Sequence, residues 1–285
     1  MTLSPEGPNA EQIRYWNEVA GPKWVRLQER LDAQIGPFGE RAIERSGAAP
    51  GECVLDVGCG CGSTALELSR RVAPTGRVVG VDLSAPMLEV ARARAAPGAL
   101  RFENADAQTH AFERGGFDLV FSRFGVMFFQ DPPAAFSNLR SALRPGGRLT
   151  FVCWQALERN PWMAVPLRAI AAHVELPPRP GPEAPGPFAL ADPERIRAIL
   201  ERAGFRAIEC EPLEQPLLLG GPGVSLDEVV AFALQLGPAA AAIRAAGEEV
   251  ASRVGPAVRA ALEPHATAGG VRMDAAAWIV SARRG

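Results

Sequence analysis

The chain has 285 residues, 47% of them hydrophobic, enough to bury one large α/β core and leave a remainder for a cap or lid. A formal net charge of −2 gives no general attraction to phosphate backbones or anionic lipid, so neither nucleic acid nor membrane is an expected partner. The first residues, MTLSPEGPNAEQ, lack a basic stretch leading into an apolar one, and no run approaches the roughly 20 apolar residues of a membrane helix. A cytoplasmic protein, monomer or homodimer, is expected. Five cysteines, Cys53, Cys59, Cys61, Cys153 and Cys210, are odd in number and scattered through core strands and their ends, which fits a reducing compartment.

Residues 11–20 read as a weak helix, and Gly21-Pro22 breaks the chain and starts another with proline in its first turn. Trp24, Leu27, Leu31 and Ile35 form one apolar stripe, ended by Gly36-Pro37. Two helices thus precede the first strand. Their aromatics, Tyr15, Trp16 and Trp24, read either as packing or as a cover over a ligand.

From residue 50 strands and helices alternate. Strand 53–57 runs into Gly58, Gly60 and Gly62, and a helix follows over Ser63 to Val72. Glycines at alternate positions after a strand let backbone approach a nucleotide-like ligand that any side chain would hold off. Strand 77–82 ends at Asp82, 20 residues beyond Gly62, a distance at which an acid can hold ribose hydroxyls. Ser84 and Pro86 open the next helix. A third strand is expected over Leu100 to Glu103 and a fourth over 117–124. Asp131-Pro132 caps a helix with Phe136, Leu139 and Leu143 on one face; Pro145-Gly146-Gly147 stops it before a fifth strand, 148–154. This alternation implies a parallel sheet covered on both faces.

In the second half, residues 177–187 are a Pro/Gly loop. Asp192-Pro193 caps a helix with Ile196, Ile199 and Leu200 that stops at Gly204, before a strand from Phe205 to Glu211. Ser225 and Glu228 form a capping box, alanine-rich helices continue to about residue 263, and AAAWIVSARR closes the chain as a last strand.

In order, VLDVGCGCG (54–62), VVGVDLSAPML (78–88), NADAQ (104–108), FDLVFSRFGVMFF (117–129) and LRPGGRL (143–149) resemble the class I S-adenosylmethionine-dependent methyltransferases, in the small-molecule branch similar to the ubiquinone and menaquinone biosynthesis enzymes. The resemblance covers residues 45–155. It implies a Rossmann-like, doubly wound, seven-stranded α/β sheet with the last strand antiparallel, plus helical lid and cap elements. Residues 1–45 would be the lid and 46–155 the cofactor-binding core. Residues 156–285 would complete the sheet (190–218 and 271–285) and supply a substrate cap (156–190 and 222–265).

The implied cofactor is S-adenosylmethionine, leaving S-adenosylhomocysteine. Backbone at Gly58, Cys59 and Gly60 would lie against its methionyl part, with Asp56 holding the amino group and Asp82 the ribose hydroxyls. Leu83 and Met87 would sandwich the adenine, and Asp106 and Ala107 would meet its amino edge. Trp16 and Trp24 of the lid, and Ser122 and Arg123 at the end of strand four, complete the expected cofactor set. Arg123, in the apolar run FSRFGVMFF, must be paired or wet; it could bind the cofactor carboxylate, orient an acidic substrate or pair with a structural acid. Tyr15, Phe124, Met127, Phe128, Trp154 and Trp162 are candidates for the acceptor pocket, and Phe129 and Met163 add apolar surface nearby.

Methyl transfer at an activated carbon needs chiefly positioning and exclusion of water, and a base only for a weakly acidic nucleophile. His110, His173 and His265 form no dyad; His173, in the cap, is the best of them, with Tyr15 and Arg123 as other weak catalytic candidates. No metal site is expected, since Cys59-x-Cys61 lacks the companion pair a structural zinc requires. Two other classes stay open: a protein of this fold that binds the cofactor without transferring methyl, and a nicotinamide dehydrogenase, although the third glycine of its fingerprint would fall at Ser63.

Overall fold

The computed structural model describes residues 3–96, 98–178, 181, 183–247 and 249–285. The N-terminal segment is α1 (Ala10–Arg14), a π-helical turn (Tyr15–Val19), α2 (Ala20–Arg26) and α3 (Gln28–Ser46). Then come β1 (Cys53–Val57), α4 (Ser63–Val72), β2 (Arg77–Asp82), α5 (Ala85–Arg94), β3 (Leu100–Asn104), β4 (Phe117–Arg123), α6 (Pro132–Ala142) and β5 (Leu143–Trp154). The second half holds α7 (Pro161–Ala171), α8 (Pro193–Arg202), β6 (Phe205–Leu218), α9 (Leu226–Ala233), α10 (Gly237–Ala246), α11 (Val250–Leu262), β7 (Ala266–Thr267) and β8 (Gly270–Arg284).

The sheet runs β3-β2-β1-β4-β5-β8-β6, with the short β7 paired to β8. β1 to β5 pair in parallel, while β8 is antiparallel to both β5 and β6. This is the doubly wound sheet with an antiparallel last strand that the motifs imply. Strands buried on both faces explain the apolar runs: in β1, Val54, Leu55 and Asp56 are all fully covered. α3 lies across β4, β5 and the β8–β6 pair, beside α4, which covers β1 and β2. α6 and α8 pack on each other, α6 also against β5 and α8 against β6.

Gly21-Pro22 does not break the chain, since helical turns run on without interruption from Ala10 through the π-turn to Arg26, and three more readings differ in where elements end. Gly36-Pro37 does not end a helix: α3 runs through it, because Phe38, Ala42 and Ile43 bury the next two turns in the core and outweigh the hydrogen bond that Pro37 cannot donate. The C-terminal half of α3 is therefore a layer of the core, and the segment lying over the loops after β2 and β3 is shorter than 1–45. Second, β6 continues past Pro212 and Pro216 to Leu218, a length tolerated because it is an edge strand whose prolines need no partner on the open side. Third, β5 begins at Leu143, with Pro145-Gly146-Gly147 looped out between the Phe117–Leu143 and Leu119–Arg148 pairs.

The expected loop 177–187 includes residues 179, 180 and 182, which lie outside the described ones. The capping box at Ser225 and Glu228 is present, and Asp131 accepts from Ala134 N as the expected cap. Among the described residues no single helix is long and apolar enough to cross a membrane.

Candidate active site

The strand order reverses between β1 and β4, where parallel sheets open a crevice at the strands' C-terminal ends. The turn after β1 fills one side of it. Gly58, Gly60 and Gly62 have φ of 67°, 56° and 86°, values that favour glycine. A Cβ on Gly58 would lie 2.7 Å from Gly125 Cα, so two backbones meet there with no room for a side chain. One on Gly60 would lie 2.8 Å from Met87 Cε.

Asp82 clamps this turn. Gly60 N donates to its Oδ2 at 2.8 Å and Ser84 N to its Oδ1 at 2.8 Å, tying the glycine turn to the start of α5. Burial raises its pKa, against the N–H groups of Ser84, Gly60 and Leu83. Each carboxylate oxygen keeps capacity for another donor.

Asp56, on β1, is fully buried. Thr64 Oγ1 donates to its Oδ2 at 2.6 Å, and its Oδ1 has no partner. Desolvation pushes its pKa up to about 7, with Thr64 and Arg123 lowering it and Asp82 adding to the rise. An orphaned acceptor beside a glycine cradle fits the amino group of a methionyl ligand.

Arg123, at the end of β4, pairs with Asp32 of α3 at 3.0 Å, so the structural-acid option describes its present contact. A Cβ on Gly39 would come within 2.8 Å of its Cδ, which is why a glycine faces it. Asp32 also stands 3.5 Å from Arg94, whose Nη1 donates to Cys61 O at 2.7 Å. Burial is the largest influence on Asp32 and acts upward, but Arg123, Gln28 and Arg94 together hold its carboxyl below the ordinary value. Ser122 is fully buried, its hydroxyl donating to Val57 O at 2.7 Å and accepting from Gly125 N at 3.2 Å, so it braces the β1 and β4 turns.

The N-terminal segment is pinned over the loops after β2 and β3. Leu3 N donates to Asn104 Oδ1 at 2.9 Å. Asn17, inside the π-turn, donates to Leu83 O at 3.0 Å and accepts from Ala85 N at 2.9 Å, taking the capping role expected of Ser84. The Ser84 hydroxyl instead donates to Trp16 O at 2.9 Å. Asn9 is buried and donates to both oxygens of Asp106, at 2.8 and 2.9 Å, while accepting from Gln130 N at 3.0 Å. With Gln108 N and Thr109 Oγ1 also donating to it, the Asp106 carboxylate is taken up by protein. Sequence reasoning missed Asn9 and Asn17, whose partners lie far along the chain; a polar Asn beside the apolar Ile13 was the available signal.

Aromatic side chains gather in two groups. Trp16 packs edge-on with Tyr15, Trp24 and Phe128 at 5.7, 5.8 and 5.1 Å, and Arg244 of α10 sits 5.7 Å over the Tyr15 ring. Phe124 stacks on Trp154 at 4.1 Å, and Trp154 also meets Phe38 and Trp162. Phe124 adopts φ of 62°, costly for a bulky residue by about 1–3 kcal/mol and typical of chain held in place by a functional surface. Met127 and Met87 are buried, and so are Ala107 and Phe129, while Leu83 is half-buried.

His173 is exposed after α7, and His110 stands 3.7 Å from Glu103 and against Phe112. Burial raises the thiol of Cys59 far up and pushes that of Cys61 to about 11, both poor thiolates; no cluster of metal ligands occurs among the described residues.

Residues 54–147 match a family model described as a methyltransferase domain. The chain is 33% identical over 150 residues to the ubiquinone/menaquinone biosynthesis C-methyltransferase of Stutzerimonas stutzeri, covering 51% of this chain and 59% of that protein. It is 35% identical over 116 residues to the nocamycin O-methyltransferase of Saccharothrix syringae, covering 40% and 41%. The chain thus spans about half the length of the curated relatives it matches. Phosphoethanolamine N-methyltransferase 2 of Haemonchus contortus, in complex with S-adenosyl-L-methionine, shares the fold with a TM-score of 0.51 at 20% identity over 87% of this chain and 52% of that one.

Proposed function

We propose that this protein, whose residues 54–147 form a class I S-adenosylmethionine-dependent methyltransferase domain, moves a methyl group to a small, largely apolar acceptor at oxygen, carbon or nitrogen. The observation that carries the reading is the convergence of the glycine turn, the clamping Asp82 and the orphaned Asp56 Oδ1 at one crevice. The bound cofactor supplies a methyl carbon already activated by a sulfonium. Everything else falls to the chain's own residues.

Asp56 accepts from the cofactor's amino group, and Asp82 from its ribose hydroxyls while keeping the glycine turn in place. Met87 and Leu83 flank the adenine. Asn9 and Asn17 hold the lid down over that end, and the two aromatic groups exclude water and orient the acceptor for in-line approach. Their surface is apolar, which matches a weakly polar acceptor. The lid is the stretch up to α2, the core continues through β5, and α7 with α9 to α11 forms the cap.

Relatives named as C- and O-methyltransferases leave the receiving atom open. Incubation with methyl-labelled S-adenosylmethionine and a panel of small phenols, enols and amines tests the reading. Label in one product class identifies the atom. Cofactor binding with no label transferred to any member would instead favour the second reading, a protein of this fold that binds the cofactor for another purpose. The exposed position of His173 is the observation on that side, since the best histidine candidate faces solvent.

A further inference from the structure

The proposed function leaves one charged pair beside the crevice unused. Arg123 of β4 and Asp32 of α3 meet at 3.0 Å, with side chains 12% and 20% exposed. Asp32 is shared, since Gln28 Nε2 donates to its Oδ2 at 2.5 Å and Arg94 of α5 stands 3.5 Å from the same oxygen.

The arginine of this pair reaches the surroundings of Asp56. A Cβ on Gly39 of α3 would lie 2.8 Å from Arg123 Cδ and 3.7 Å from Thr64 Cγ2, so α3 carries a glycine where those two side chains converge. The hydroxyl of the same threonine donates to Asp56 Oδ2 at 2.6 Å. Thr64 is thus a neighbour of both, and Arg123 makes no hydrogen bond to Asp56 Oδ1, which has no partner.

Burial is the largest influence on Asp56 and acts against its charge. Asp82, at the end of β2, adds to that effect, while Arg123 from β4 opposes it. From α4 comes the neutral hydroxyl of Thr64, and the Cys59 thiol in the turn stays protonated, its ionisation disfavoured by burial and by both acids. Asp32, of α3, is held ionised against burial by Arg123, Gln28 and Arg94. A guanidinium does not titrate in proteins, so the charges of Arg123 and Asp32 are both constant near neutral pH.

We infer that Arg123 is a positioning residue that acts through Asp56: its guanidinium favours the ionised carboxylate that the cofactor's amino group needs, and Asp32 keeps that guanidinium off Asp56 Oδ1. The inference rests on the reading of Asp56 as the amino-group acceptor. A charge can act in this way without contact, because Coulomb attraction extends beyond hydrogen-bond distance inside a protein. A hydrogen bond from Arg123 would instead occupy the acceptor that the cofactor uses.

Calorimetric titration of the full chain with S-adenosylhomocysteine, from about pH 5.5 to about pH 8.5, reads the midpoint of the rise in affinity that follows ionisation of Asp56. Arg123→Met removes the favourable charge, so the midpoint should move up by at least about half a pH unit. Asp32→Asn removes the counter-charge and leaves the guanidinium unopposed, so the midpoint should move down by about as much. A packing role would weaken binding at every pH and leave the midpoint in place. Asp32→Asn is isosteric at a partly exposed site, so it decides alone if Arg123→Met does not fold. A midpoint that stays, or moves the other way, in either folded variant overturns the inference. A rise that survives in Asp56→Asn overturns the reading of Asp56 on which it rests, and absence of binding by the wild type overturns the cofactor site itself.

Discussion

Asp56 makes the sharpest case at the scale of single residues. Its folded pKa of about 7 stands well above the ordinary carboxylate value, so ionising it without a partner costs stability. Stability from this group is fully present below the ordinary carboxylate pKa and is lost as the pH rises through about 7. A cationic amino group needs the ionised form, so S-adenosylhomocysteine affinity is expected to rise about tenfold from pH 6 to pH 8. Calorimetry across that range should show the rise in the wild type and a flat profile in Asp56→Asn; equal slopes would remove Asp56 from the amino-group site. Gly58 gives a second prediction. Its φ of 67° and the 2.7 Å approach to Gly125 Cα leave no rotamer to relieve a clash, so Gly58→Ala should lose about 2–4 kcal/mol in denaturant unfolding, with S-adenosylhomocysteine binding abolished. Unchanged stability would mean that the two turns are free to part.

These residues were legible because their signals are local. Gly58, Gly60, Gly62 and Asp82 declare a turn and its acid within 25 residues of chain. Arg123 declared only that it needed a partner, and Asp32, 91 residues away, could not be read from its neighbours. Asn9 and Asp106 are 97 residues apart and neither belongs to a periodic pattern.

Among the elements, the N-terminal segment has the most to do and the least sequence regularity. Its π-turn presents Asn17 to the loop after β2 while Asn9 reaches the loop after β3, and π-turns recur at functional sites because they redirect side chains. Deleting the Asn9 carboxamide leaves the buried Asp106 and Gln108 groups short of a partner. Asn9→Ala should therefore lower stability by about 1–3 kcal/mol and speed S-adenosylhomocysteine dissociation about tenfold in stopped-flow measurements. A dissociation rate equal to wild type would show that the segment does not gate the site. The helix α3 illustrates the opposite case, in which packing overrode a local stop signal: Pro37 reads as an end, but two further turns of buried side chains carry the helix on.

For the molecule as a whole, the alternation of strands and helices from residue 50 to 154 was legible because a parallel sheet imposes a strong pattern on every element. The cap was not, since α7, α9, α10 and α11 pack mainly on one another and on β8, and their sequence records only that they are apolar on one side. The central claim is that the β1 turn and Asp82 build an S-adenosylmethionine site. Titration calorimetry with S-adenosylhomocysteine tests it most directly: the wild type should bind one equivalent, and Asp82→Ala, which removes the ribose acceptor and frees Gly60 N, should weaken binding at least about 100-fold. Binding of equal strength by the variant, or none by the wild type, would contradict the account.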